Sequence, residues 1–98
     1  MTININIHSI HFHIDNNLEI FIEKKINKLL KLDNKIISSD VFLKLSKVES
    51  YSNKIAEIKL KYPGSKFFAK RKSDTFEEST NQVFHALRKQ ILKNKAKK

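Results

Sequence analysis

The chain has 98 residues, with 20 Lys and Arg against 10 Asp and Glu, for a formal net charge of +10. That length makes one domain, near the size at which a single hydrophobic core suffices, and 40% hydrophobic residues supply that core. With no cysteine, a disulfide framework, a thiolate nucleophile and a thiolate metal site are excluded, while the charge points to a polyanionic partner.

From Thr2 to Ile7 the residues alternate, Ile3, Ile5 and Ile7 against Asn4, Asn6 and His8, the period of a half-buried strand. The apolar parity then slips to Ile10, Phe12 and Ile14, so the strand is expected to end near His8 and pass into an extended connection. Met1 to Ile7 lacks the basic-then-apolar layout of a signal peptide, and no apolar run approaches the roughly 20 residues that span a bilayer. A cytoplasmic protein with no membrane partner is expected.

Asn16 followed by Glu19 resembles a capping box, and the 3.6-residue pattern behind it predicts a helix from about Asn17 to Lys31 or Leu32, closed by Asp33 and Asn34. Leu18, Ile22, Ile26 and Leu29 form its core seam. On the other side Lys24, Lys28, Lys31 and Lys35 fall within about 60° of one another at roughly 100° per residue. Such a helix can be held against a core while a row of ammonium groups faces a polyanion. A lysine-rich helix alone fits a solvated surface equally well. All the basic residues but Arg71 and Arg88 are lysine, and Ile and Asn are abundant too, as an AT-rich genome would produce. Lysine placement therefore carries more weight than lysine number.

Val41, Leu43 and Leu45 alternate with Phe42, Lys44 and Ser46, predicting a second strand. Ala56, Ile58, Leu60 and Tyr62 alternate with Ile55, Glu57, Lys59 and Lys61, predicting a third. Glu49 to Asn53 between them is polar and turn-like. Pro63 and Gly64, the only proline and glycine, make a short turn into a fourth strand, Lys66 to Lys72, with Phe67 and Ala69 on one face. Asp74 or Ser73 can cap a last helix. Glu77 and Glu78 suit its N-terminal end, and Arg88, Lys89, Lys93 and Lys95 suit its C-terminal end. Its seam is Phe76, Val83, Phe84, Leu87 and Ile91, with Gln82, His85, Lys89 and Lys93 on the far side.

The expected fold is α+β with order β-α-β-β-β-α. Strands one and two are parallel through a right-handed crossover and strands two to four form an antiparallel meander. The result is a four-stranded mixed sheet with two helices packed on one face. Residues 1–98 form one domain, with Lys93 to Lys98 an unpacked basic tail.

Catalysis has little to stand on, and the protein is expected not to be an enzyme. None of the carboxylates falls in an apolar segment that would raise its pKa, and Glu77 with Glu78 is explained by the helix dipole. There is no Gly-x-Ser-x-Gly elbow, and one glycine cannot build a phosphate-cradling loop. His11 and His13 would project to one side of an extended segment, near His8, but no third ligand accompanies them, so surface histidines are expected and no metal or cofactor. His85, beside Lys89, is placed to touch a phosphate or a base, or is simply exposed. Both helices carry basic outer faces, which should merge into one basic surface for nucleic acid. Phe42 and Phe68 lie on the opposite sheet face. They can stack bases, though such rings more often cover a sheet, and no aromatic RNA-recognition signature is present.

Three stretches, Leu18 to Lys28, Ala56 to Gly64 and Thr75 to Lys93, resemble the ribosome hibernation-promoting factor family. That family also includes the ribosome-associated inhibitor and was formerly labelled sigma-54 modulation protein. The most specific parts are the Thr75-Phe76-Glu77-Glu78 helix start, Leu87-Arg88-Lys89-Gln90-Ile91 and the Pro63-Gly64 turn, and the likeness runs over essentially the whole chain. It implies that the outer faces of the two helices dock into the small ribosomal subunit and its rRNA, where messenger and transfer RNA would sit. Matching residues are Lys25, Lys28 and Lys35, then Lys89, Lys93 and Lys95; Lys24, Lys31 and Arg88 are added by the charge pattern of this chain. Ser79 and Thr80 replace the small apolar residues usual early in the last helix, so slightly poorer packing is expected there.

Long members of the family append a second domain that pairs ribosomes, and the inhibitor type carries an acidic C-terminal extension. This sequence ends Lys-Asn-Lys-Ala-Lys-Lys at Lys98 and resembles the short hibernation-promoting type. Short members elsewhere act with a separate small ribosome modulation factor to dimerise ribosomes. No small-molecule substrate is implied. Two other readings stay open. One is a double-stranded-RNA-binding module, which shares an α-β-β-β-α core but needs a basic cluster where this chain has Glu77 and Glu78. The other is a protein-protein regulator of a transcription factor, in which the charge only solubilises.

Overall fold

The computed structural model describes residues 4–10, 13–46 and 53–96. The elements run β1 (Asn4–Ser9), α1 (Asn16–Leu30), β2 (Ser38–Leu45), β3 (Lys54–Tyr62), β4 (Ser65–Ser73) and α2 (Phe76–Ala96). The strands form one sheet in the order β1-β2-β3-β4, with β1 parallel to β2 and the other pairs antiparallel. This is the expected α+β arrangement. Thr2, Ile3, His11, Phe12, most of the expected Glu49 to Asn53 turn, and Lys97 and Lys98 lie outside the described residues.

Alternation in the sequence becomes rows across the sheet. Ile7, Val41, Ile58 and Ala69 stand in register from edge to edge, and side chains of that parity point at the helices. The core joins them to Leu18, Ile22, Ile26 and Leu29 of α1 and to Val83, Leu87 and Ile91 of α2. Burying each large apolar side chain is worth about 1.5–3 kcal/mol. Leu45, expected inward, is exposed at the strand end. Pro63 and Gly64 form a two-residue turn, with Tyr62 paired to Ser65. Gly64 takes φ of +74°, which a side-chain-bearing residue adopts only with strain.

Both helix starts differ by a residue from expectation. Asp15, not Asn16, caps α1: it keeps extended backbone and its Oδ1 accepts the Leu18 N–H at 2.7 Å. Thr75, rather than Asp74 or Ser73, caps α2, its Oγ1 accepting the Glu78 N–H at 3.0 Å. α1 stops at Leu30 because Asp33 redirects the chain. Its carboxylate accepts the Lys35 N–H at 3.0 Å and the buried Tyr62 hydroxyl at 2.8 Å, tying the α1–β2 connection to the end of β3. α2 is longer than expected: Lys93 to Ala96, read as loose tail, are helical, and the Lys95 Nζ donates to the Leu32 carbonyl at 2.7 Å.

Ser79 and Thr80 are both fully buried, and they behave differently. Ser79 Oγ donates to the Lys54 carbonyl at 2.6 Å and lies 2.7 Å from Ser73 Oγ, joining α2 to the start of β3 and the end of β4. Thr80 Oγ1 has no hydrogen-bond partner among the described residues. No helix among the described residues is long and apolar enough to cross a membrane.

Candidate nucleic-acid interface

The core seam of α1 faces the sheet, which turns Lys24, Lys28 and Lys31 outward, all exposed. Lys25 is half-buried at the seam between the helices, its Nζ 5.5 Å from the ring centroid of Phe21 and 5.0 Å from that of Phe84. Two aromatic faces thus hold one ammonium at the helix junction, each contact worth about 0.5–1 kcal/mol where exposed. Lys35 does not extend the helical stripe, because α1 has ended. It gathers instead with Lys31 and Lys95 around the C-terminal end of α1, beside Leu32, Asp33 and Asn34, where the helix dipole favours cations.

The basic residues of α2 divide. At about 100° per residue, Arg88 and Lys95 fall on the side of Phe84, toward α1, while Lys89 and Lys93 fall on the other side, toward β4. His85 and Lys89 line a groove with Gln82, Ala86, Gln90 and Arg71 of β4. Arg88, Lys89 and Lys93 are exposed, as is His85, whose ring meets Phe84 edge-on at 5.3 Å between centroids. The expected single stripe therefore resolves into a cluster at the end of α1, a lysine at the helix junction and a groove over β4. Sequence reasoning missed Arg71. It occupies an exposed core-parity position on the edge strand, its guanidinium donating to the Lys70 carbonyl at 2.8 Å, and a charged residue in step with Phe67, Ala69 and Ser73 is the signal that marks it.

No described element covers the opposite sheet face. His8 stacks on Phe42 with centroids 4.9 Å apart and rings inclined by 14°, so Phe42 is half-buried, whereas Phe68 is 46% exposed. Glu57 Oε1 bridges Lys44 at 3.1 Å and Lys70 at 3.4 Å. Partial burial raises the Glu57 carboxyl pKa, but the hydrogen bonds and charges of Lys44 and Lys70 outweigh it and hold it below the ordinary carboxylate range.

Fold and charge together define a small α+β domain whose lysine-bearing helices are backed by a mixed sheet. Residues 5–98 match the family described as Sigma 54 modulation protein / S30EA ribosomal protein, and the chain belongs to that family, the hibernation-promoting group its sequence resembles. The chain is similar to a ribosomal subunit interface protein from Coxiella burnetii, with a TM-score of 0.85 and 24% identity over 96% of this chain and 99% of that one. It is also similar to the N-terminal domain of Protein Y from Thermus thermophilus, with a TM-score of 0.75 and 20% identity over 93% of this chain and 96% of that one. Both likenesses establish the fold. No curated protein matches the sequence.

Proposed function

We propose that this domain silences ribosomes by binding the small subunit through the basic outer faces of α1 and α2 and occluding the messenger and transfer RNA sites. The observation that carries it is the exposed cationic array of Lys24, Lys28, Lys31, Arg88, Lys89 and Lys93 on two helices fixed to a rigid sheet, in a chain of the S30EA ribosomal protein family. Ammonium groups on rigid elements meet rRNA phosphates without the entropy loss of ordering a loop. Lys25, Lys35, His85 and Lys95 complete the surface. The ribosomal subunit interface named for the Coxiella burnetii structure fits this docking place. Occlusion needs no bond-making, so the effect is reversible and competitive. Glu77 and Glu78, exposed at the start of α2, weigh against a double-stranded-RNA-binding module, since they would repel phosphate there. Sedimentation of lysate on a sucrose gradient tests the reading: the protein should travel with small subunits or whole ribosomes, and leave them as salt is raised. Recovery only at the top of the gradient at low salt would refute it.

A further inference from the structure

The open sheet face is basic as well, and it is built differently. Lys44, Lys59, Lys61, Lys66, Lys70 and Lys72 all have its parity, against only Asp40 and Glu57. Both carboxylates are engaged, Glu57 with Lys44 and Lys70 and Asp40 with the Asn6 amide at 3.2 Å. The side chains of Lys59, Lys61, Lys66 and Lys72 make no hydrogen bond or ion pair with a described residue. Lys61 stands directly opposite Lys66, and Phe68 directly opposite Lys59. Cross-strand neighbours are about 5 Å apart at Cβ and like charges so placed destabilise a sheet.

Two features that cost the isolated domain stability therefore coincide: an exposed aromatic ring, and an unneutralised lysine cluster around it. A flat ring ringed by ammonium groups on rigid strands is the arrangement that takes a base on its face and phosphates on its flanks. The β1–β2 half lacks it, because His8 already covers Phe42. We infer that the β3–β4 half of the open sheet face is a second nucleic-acid surface. It binds a single-stranded RNA segment, with Phe68 stacking a base and Lys59, Lys61 and Lys66 holding the backbone. This surface lies on the opposite side of the sheet from the helices that dock on the ribosome, and would give the domain RNA contacts on two sides.

The test is binding of fluorescent oligouridylate to the whole protein, read by anisotropy at several salt concentrations. Phe68→Ala should weaken binding about five-fold or more and Phe68→Tyr should retain it. Lys59→Gln with Lys66→Gln should flatten the salt dependence by roughly 0.7 in slope per lost contact. The same charge removed from α1 by Lys24→Gln with Lys28→Gln should matter less. Unchanged binding in Phe68→Ala would overturn the inference, as would equal losses in the sheet and helix double variants. Displacement of the oligonucleotide by polyglutamate as readily as by unlabelled oligouridylate would also overturn it, showing a general polyanion surface. Circular dichroism checks folding; the Phe68 side chain is outside the core, so its variants should keep the wild-type spectrum.

Discussion

Gln90 on α2 grips the backbone of Phe68 on β4 from both sides, its Oε1 accepting the Phe68 N–H at 3.3 Å and its Nε2 donating to the Phe68 carbonyl at 2.8 Å. A side-chain amide thus takes the place of a neighbouring strand. It satisfies two groups on the outer edge of β4, which would otherwise offer a template for another chain, and it fixes α2 over the sheet. Gln90→Ala should lower stability by about 1 kcal/mol, since both bonds are exposed and one is long. A denaturant midpoint shift at unchanged slope would show it.

The buried hydroxyls early in α2 should respond in opposite directions. Ser79→Ala removes the donor to the Lys54 carbonyl and should cost about 1–2 kcal/mol. Thr80→Val replaces an unpartnered buried hydroxyl by a methyl group of the same shape and should stabilise the domain by up to about 1 kcal/mol. Thermal melts of the two variants would distinguish this from uniformly poor packing, in which both would gain.

The strands and the core were legible in the sequence because one physical cause, burial of one face, produces a period that survives in a single chain. Ile5 and Ile7, Val41 and Leu43, and Ala56 to Tyr62 all point where their parity says. Features set by one hydrogen bond were not. Asp15 and Asn16 are both good caps, and only the backbone, extended at Asp15 with φ of −82° and ψ of 162°, chooses between them. Lys35 left the lysine stripe because Asp33 met Tyr62, a pairing between residues 29 positions apart. Arg71 entered the groove of His85 and Lys89 through strand register, and Gln90 found Phe68 22 positions away.

The ion pairs of Glu57 should register as a small pH-dependent contribution to stability. Its folded pKa is lowered, so the stabilisation is present above the unfolded value of about 4.3 and is lost as pH falls through the folded value. Lys44 and Lys70 are 37% and 53% exposed, which limits the effect to less than about 1 kcal/mol. Glu57→Gln should therefore be slightly less stable than wild type at neutral pH and indistinguishable from it in strong acid. A stability gap that widened on acidification would contradict the assignment.

Charge reversal on the helices should separate docking on the ribosome from the sheet face. Lys25→Glu, Lys28→Glu and Lys89→Glu together should weaken association with small subunits strongly and reduce its salt dependence, because each phosphate contact releases a counterion. Phe42→Ala and Phe68→Ala should weaken it mildly. Pelleting assays over a salt series would decide, and greater damage from the aromatic changes would move the docking surface to the sheet.

Occlusion makes a demand that generic RNA binding does not. If the domain and the translation substrates exclude one another, purified protein added to a cell-free reaction should inhibit initiation at amounts near stoichiometric with ribosomes and leave the rRNA intact. Ribosomes preloaded with messenger and initiator transfer RNA should be protected, and excess initiation components should restore synthesis after inhibition. The expectation rests on the docking place that the family resemblance implies, together with charge and rigidity. The exposed cations Lys24, Lys28, Lys31, Arg88, Lys89 and Lys93 sit on helices locked to the sheet by the complete burial of Ile22, Ile26, Leu87 and Ile91, so under the proposed mechanism the domain would compete for its site as one rigid body. Equal inhibition of preloaded and empty ribosomes, or cleavage of the rRNA, would require a mechanism other than mutual exclusion.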